Sequence, residues 1–420
     1  MLSNSDSHIT KKTRNSSRPD LISNLPTEII NIILTCLPIN EAVKTSILSK
    51  KWRFNWRYLS KLVFDETFYQ TSALTSNAKP NTTKLFSNIN KVLLLHKEPI
   101  NITLKFPLFQ MYPEIDQLML FLSEKDVHEI SFYIGRSFLS EKDRRVPPFL
   151  FSCVILRSLT LSSCSFTVPL AFQGFVNLIS LKFQWVRFKN NAFEILISKC
   201  PLLETLSIRS CPNSSYLDID LPYLKFFYFS GSFESICFRK TSQHLSTIFY
   251  SLTLYYCVFF DKYFGTIPRK LSATLACLTV LVLPEICFRR TTEVSAVVCL
   301  ILSSPNLQKL EIGSVAYNKD EKEVFAQEIY KVEDLLDNAL KKLRLVRMKL
   351  SKKKDIRPEL EFIKFLLAGS IVLEKMVIQP ALGTVAEKGR QKILKKIIRF
   401  HRSSENVEIL YLNCGSGGAC

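Results

Sequence analysis

Glycine is scarce, at 11 of 420 residues. Loops that cradle phosphate do so through bare backbone N–H groups and need glycine, so a phosphate-handling enzyme fits this composition badly. No run of 18 or more apolar residues occurs, and no segment therefore reads as a membrane-spanning helix. The opening Met-Leu-Ser-Asn-Ser-Asp-Ser-His has no apolar core of the kind a secretion signal needs. The twelve cysteines form no CxxC pair, and none of the five histidines pairs with another at metal-ligand spacing. GxxxxGK[ST], HExxH and GxSxG are all missing. No catalytic residue, cofactor or metal site is expected. Without an export signal the thiols are expected reduced and buried, in the nucleus or cytosol.

What the chain has is apolar mass and positive charge. Hydrophobic residues make up 47%, phenylalanine alone contributes 31, and the formal net charge is +19. That composition excludes wholesale disorder. The charge points to an acidic partner or to a solvated exterior.

Residues 1–19 are polar and read as a disordered leader, with Lys11, Lys12 and Arg14 as a short basic run. A helical block follows. Pro26 suits a helix start, and Ile29, Ile30, Ile33, Leu34 and Leu37 recur at helical spacing up to Pro38. Asn40 is expected to cap a second helix that carries Ala42, Val43, Ile47 and Leu48 and ends near Lys50 and Lys51. Trp52 and Trp56 then lie on one face of a third segment. A block this small should not need so many large apolar residues for its own core. Further helix is expected at 84–96 and a strand at 100–106.

From residue 127 a motif recurs: apolar-x-x-apolar-x-apolar. Its copies are Val127, Ile130, Phe132; Leu156, Leu159, Leu161; Leu178, Leu181, Phe183; Leu203, Leu206, Ile208; Leu221, Leu224, Phe226; and Phe249, Leu252, Leu254. They continue with Leu275, Leu278, Val280; Leu307, Leu310, Ile312; Leu340, Leu343, Leu345; Leu373, Met376, Ile378; and Val407, Leu410, Leu412. Each copy predicts a short strand of a parallel sheet, with alternate residues pointing inward. Helical returns are expected at 191–198, 294–302 and 360–368. No repeat buries its apolar face alone, so neighbours must stack. Cys164, Cys211 and Cys257 share one repeat position, which Cys414 mimics, and this assigns them to core or turn.

The segment Asp20–Ile39, with Leu25, Pro26, Ile29, Ile33, Leu37 and Pro38, resembles the opening of a plant F-box. Glu41–Arg53, with its Leu-Ser-Lys-x-Trp-Arg signature from Leu48, is similar to the rest, and Trp56, Leu59, Leu62 and Phe64 continue it. Ser60 stands where many relatives carry proline. Near the C-terminus, Glu361–Ser370, Leu373–Ile378, Ile393, Leu394 and Ile397–Arg402 resemble the FBD region that accompanies plant F-box and leucine-rich-repeat chains. The resemblance implies an α/β protein: a three-helix F-box at 20–64, a leucine-rich-repeat solenoid at 65–355, an FBD-like region at 356–412 and a tail at 413–420. It implies a non-catalytic, substrate-recognition subunit of an SCF-type cullin–RING ubiquitin ligase. The F-box would dock on the SKP-type adaptor and the repeats would bind an unknown protein substrate. Adaptor contacts then fall on Leu25, Pro26, Ile29, Ile33, Leu37, Pro38, Val43, Leu48, Ser49 and Trp52. Pro26 and Trp52 are expected to be exposed contacts, while about half of the set fills the module's own core.

Three other readings compete. Residues 341–354 hold eight Lys or Arg and no acid, which suits nucleic acid, yet no nucleic-acid-binding motif accompanies them. A repeat scaffold that works outside a ligase is the second. The third is a small-molecule pocket lined by the aromatic run Phe226–Phe229. Neither nucleic acid nor membrane is the expected partner.

Overall fold

The computed structural model describes residues 21–73, 82–97, 100–106, 113–134, 145–189, 191–212, 216–230, 235–238, 244–251, 274–315, 340–351, 356–380 and 387–412. The chain divides into two compact units, one of Met1–Val63 with Thr67–Glu98 and one of Phe64–Glu66 with Pro99–Cys420. No helix among the described residues is long and apolar enough to cross a membrane.

The first unit is helical. Pro26 leads into helix α1 (Thr27–Thr35), and its carbonyl accepts the Ile30 N–H at 3.1 Å. Pro38 does the same for α2 (Ile39–Lys44), accepting from Glu41 and Ala42 at 2.9 Å each. The helix therefore starts at Ile39 with Pro38 at its cap, and Asn40 lies in its first turn rather than capping it. After Lys44 the chain tightens into one 3₁₀ turn, Thr45–Ile47, so this helix is shorter than expected. The tryptophan segment consists of turns and the 3₁₀ piece Asn55–Tyr58. Ile30, Leu34, Ile39, Ala42, Trp52, Trp56 and Leu59 form the buried set.

This unit runs past the boundary at 64. It takes in α3 (Glu66–Ala73), from Thr67 onward, and α4 (Thr82–Leu95), whose Leu85, Phe86, Ile89 and Leu93 are buried at helical spacing. The His96 ring Nε2 meets the Leu59 carbonyl at 2.7 Å, and the Lys97 N–H donates to the Arg57 carbonyl. These bonds tie the end of α4 to the end of the tryptophan segment.

The second unit is a parallel sheet in simple sequence order. Its strands are β1 (Ile100–Phe106), β2 (Val127–Ile134), β3 (Ser158–Ser162), β4 (Ser180–Gln184), β5 (Thr205–Arg209) and β6 (Phe226–Ser230). They continue with β7 (Thr247–Ser251), β8 (Val280–Ile286), β9 (Lys309–Ser314), β10 (Leu345–Lys349), β11 (Lys375–Gln379) and β12 (Glu408–Tyr411). The returns include α5 (Pro113–Ser123), α6 (Ala192–Ser198), α7 (Thr291–Leu302), α8 (Arg357–Gly369) and α9 (Glu387–Ile398). The three expected return helices are α6, α7 and α8. The FBD-like segment is no separate layer, because β10 pairs with β11 and β11 with β12 in the same ladder.

Each repeat is stapled to its predecessor by two bonds to one carbonyl. Ile179 and Ser180 donate to the Arg157 carbonyl, Glu204 and Thr205 to Ile179, and Lys225 and Phe226 to Glu204. The series continues through Lys225, Ser246, Thr279, Gln308 and Arg344. Before seven of the strands a β-turn closes at 3.1–3.3 Å, from Leu156 N–H to Cys153 O, Leu178 to Phe175, Leu203 to Cys200, Leu224 to Leu221, Leu278 to Leu275, Leu307 to Ser304 and Leu343 to Leu340.

The ladder corrects the phase of five copies, three of them through that turn; in the last, Ile409 and Tyr411 rather than Leu410 and Leu412 align with Met376 and Ile378. In β6 the inward residues are Phe227 and Phe229, which align with Leu206 and Ile208 of β5, so Leu224 and not Leu221 starts the motif. By the same pairing Leu245 and Ile248 replace Phe249 as the buried start of their copy, Leu278 and Leu281 replace Leu275 and Leu278, and Leu343 and Val346 replace Leu340 and Leu343. Leu252, Leu254, Cys257 and Cys414 lie outside the described residues. For the Leu221, Leu275 and Leu340 copies the cause is the turn itself. It buries an apolar residue three places ahead of the motif, at Leu221, Leu275 and Leu340, and so creates a second in-phase leucine.

Aromatic rings fill the interior behind β3–β5. Phe166 meets Phe183 at 5.8 Å between centroids, Phe183 meets Phe188 at 5.0 Å and Phe188 meets Phe193 at 5.3 Å.

Candidate functional site

Two surfaces carry side chains beyond what the core uses. The first lies on the helical unit. Helix α1 turns Ile30 and Leu34 inward, and this leaves Ile29 and Ile32 on the outside, Ile32 at 60% exposure. A helix apolar all round has to bury both sides, and one side of α1 is uncovered. On the same unit Leu21, Ile22, Leu48, Phe54 and Ile47 are also exposed, the last at 87%. Lys50, Lys51 and Arg53 are exposed nearby in sequence, and Lys44 pairs with Glu41 at 2.7 Å.

The ten expected contact residues divide unevenly over this unit. Pro26, Ile29, Pro38 and Leu48 are exposed, while Leu25, Ile33, Leu37, Val43 and Ser49 are half-buried. Trp52 is not an exposed contact. It is 3% exposed, and its indole N–H donates to the Ile22 carbonyl at 3.1 Å. A ring of that size is worth most when buried, with its one donor satisfied. Lys51 Nζ reaches the Leu25 carbonyl beside it. Both bonds hold the chain ahead of α1, where Leu25 and Pro26 lie. The hydroxyls of Ser46 and Ser49 are buried without a hydrogen-bond partner among the described residues.

Sequence reasoning missed Ile22, Ile32, Ile47 and Phe54. The signal was present in α1, where apolar residues fill nearly every position from Ile29 to Leu34. Ile47 gave no such signal, because only the break from α-helix to 3₁₀ turn points it outward.

The second surface is the outer face of the sheet. Its side chains change character along the strands. On β3–β5 they are mainly hydroxyls: Ser158, Thr160, Ser162, Ser180, Thr205 and Ser207. On β6–β8 they become Phe226, Tyr228, Phe249, Val280 and Val282. On β9 and β10 they become charged, with Lys309, Glu311, Arg347 and Lys349. The run Phe226–Phe229 therefore lines no single pocket: Phe227 and Phe229 are core, and Phe226 and Tyr228 face outward.

Six of the eight cysteines whose side chains are described belong to the core. Cys164, Cys211, Cys153, Cys200, Cys287 and Cys299 are buried free thiols, and Cys36 and Cys277 are exposed. Burial pushes the Cys153, Cys200 and Cys211 thiols up to about 12 and raises Cys164 as well. Protonated thiols at these positions are neither nucleophiles nor metal ligands. Among the described residues no group of three His, Cys, Asp or Glu side chains could hold a metal ion.

Comparison with known proteins agrees with this division. The F-box domain model matches residues 22–64, and a model described as the LRR repeats of the FBD-associated F-box protein At5g56370 matches residues 115–256. The F-box/FBD/LRR-repeat protein At1g13570 of Arabidopsis thaliana is 33% identical over 428 residues, covering 94% of this chain and 99% of that protein. The F-box/FBD/LRR-repeat protein At5g56420 of the same plant is 29% identical over 215 residues, covering 49% of this chain and 48% of the relative.

Proposed function

We propose that this chain, which belongs to the F-box/FBD/LRR-repeat family, is the substrate-recognition subunit of an SCF-type cullin–RING ubiquitin ligase. The observation that carries the reading is the uncovered apolar surface on the F-box unit, formed by Pro26, Ile29, Ile32, Ile47 and Leu48. An apolar patch of this kind on a small helical module marks a protein interface. The SKP-type adaptor is the partner that the family implies, and Leu25, Ile33, Leu37, Pro38, Val43 and Ser49 complete the surface around the exposed set. Trp52 supports it from below.

The repeats then hold a protein substrate, and the ligase brings a ubiquitin-loaded enzyme to its lysines. The chain's contribution to rate is proximity, not chemistry. This work belongs in the nucleus or cytosol, a placement supported by the buried free thiols.

Co-purification with the adaptor tests the reading. The double substitution Leu25→Ala, Pro26→Ala, and separately Ile47→Asp, should abolish adaptor capture while circular dichroism still reports the folded sheet. Adaptor capture that survives both changes sinks the assignment.

A further inference from the structure

We propose that the outer face of strands β5–β10 is a docking surface for an acidic, extended protein segment with an apolar anchor at its centre. This names the substrate class for the recognition half of the ligase reading, and it rests on that reading for its biological meaning.

The centre of the surface is a row of side chains running across the strands. The Arg209 guanidinium lies over the Tyr228 ring at 4.2 Å. On its other side Tyr228 stacks on Phe249, with centroids 4.5 Å apart and planes at 14°. The backbone pairing places Val282 beside Phe249, and Glu311 beside Val282. All three apolar residues are half-buried and point away from the core, where Phe227, Ile248 and Leu281 are already packed. Nothing in a repeat's own architecture calls for them. The equivalent places on β3–β5 are filled by Thr160, Lys182 and Ser207.

Charge surrounds this apolar centre on both sides. Lys182 and Arg209 stand on the β4–β5 side, and Lys309, Arg347 and Lys349 on the β9–β10 side. Lys309 and Arg347 share the single carboxylate of Glu311, at 2.8 and 3.9 Å. Among the described outward residues of β4–β10, these five bases against the one carboxylate of Glu311 complement an acidic ligand.

The dimensions set the ligand's spacing. From β5 to β9 is four strand intervals, about 19 Å at about 4.8 Å each. An extended chain at about 3.3 Å per residue covers that in about six residues. The fitting segment carries Asp or Glu at both ends of such a stretch and a leucine or aromatic residue between them.

A protein segment suits the row better than nucleic acid does. Bases need an open ring face to stack on. Both faces of Tyr228 are taken, by Arg209 and by Phe249, so its edge is what the row presents. Edges receive apolar side chains, and Glu311 within the basic cluster opposes a run of phosphates.

The test uses the full chain and an array of fluorescent nine-residue peptides. Each peptide has a central leucine or phenylalanine, with aspartate or lysine placed two to four residues to either side. Acid-flanked peptides are expected to bind at least about tenfold tighter than lysine-flanked ones, and Phe249→Ser or the pair Arg347→Glu, Lys349→Glu to weaken them by about tenfold. All these side chains lie outside the core, and an unchanged circular dichroism spectrum and melt of each variant reports that the sheet remains folded. Binding without preference for acid, or binding that both variants leave unchanged, overturns the proposal. So does an RNA oligonucleotide that outcompetes every peptide and loses affinity steeply with salt. Peptide binding by an unsubstituted chain that captures no adaptor removes the ligase reading and keeps the surface.

Discussion

Ile30 and Ile47 are the same residue type in the same small unit, with opposite fates. Ile30 is fully buried, and Ile30→Ala should cost about 2–5 kcal/mol in denaturant unfolding of that unit. Ile47→Ala should change stability by less than about 0.5 kcal/mol, because its side chain already lies in water. The thiols make a second case. Their raised values mean that the folded chain keeps protons the unfolded chain gives up near 9, the ordinary thiol value. Stability from these groups is therefore complete below pH 9 and falls as the pH climbs toward 12. Unfolding midpoints measured in reductant at pH 8 and pH 10.5 should show the fall, and Cys200→Ala should make it shallower. An unchanged slope in that variant would show that Cys200 does not contribute. Glu359 is a third case: its carboxylate is buried at the start of α8 and accepts the hydroxyls of Ser314 at 2.8 Å and Ser351 at 2.6 Å. It fixes α8 against the ends of β9 and β10.

Strand ends explain two further features. Ser163, Trp185 and Ser210 occupy one repeat position with φ of 57°, 56° and 49°. This left-handed conformation, uncommon for residues with a side chain, turns the chain away from the sheet just before Cys164, Val186 and Cys211. Ser163→Val should destabilise the second unit by about 1–2 kcal/mol, since a branched side chain is least compatible with that backbone. Ser163→Gly should be tolerated, and a thermal melt separates the two. Gly313 shows why glycine matters where it does occur. A Cβ there would overlap the Pro284 carbonyl oxygen of the neighbouring strand, next to the bulge between Leu283 and Ile286. The element type of each repeat was legible in its alternating apolar residues. Its phase was not, because the β-turn ahead of the strand buries a residue at the same three-place interval.

At the scale of the molecule, the second unit is one continuous ladder. The FBD-like strands β11 and β12 have no other sheet to join, and repeats depend on their neighbours. Residues 356–412 expressed alone should therefore lack the strand signal in circular dichroism. A folded fragment would make the region an independent domain. The helical unit behaves differently, being held by its own core and by the bonds from α4 to Leu59 and Arg57. Its boundary at Glu98 lies well past the motif that announces it, since α3 and α4 carry ordinary amphipathic patterns with no signature of membership.

The sequence by itself determined the repeat architecture and the buried places of Cys164 and Cys211 within it. Both follow from local spacing, which a chain displays without being folded, and the F-box segment was legible by its resemblance to that family. Tertiary structure alone decided which face each residue occupies. Trp52 went inside because the chain before α1 folds back to meet its indole N–H. Ile47 went outside because the helix tightened one turn earlier than its pattern suggests. Tyr228 and Phe249 came together from strands 21 residues apart in register, and only a closed ladder brings such residues within one ring's reach.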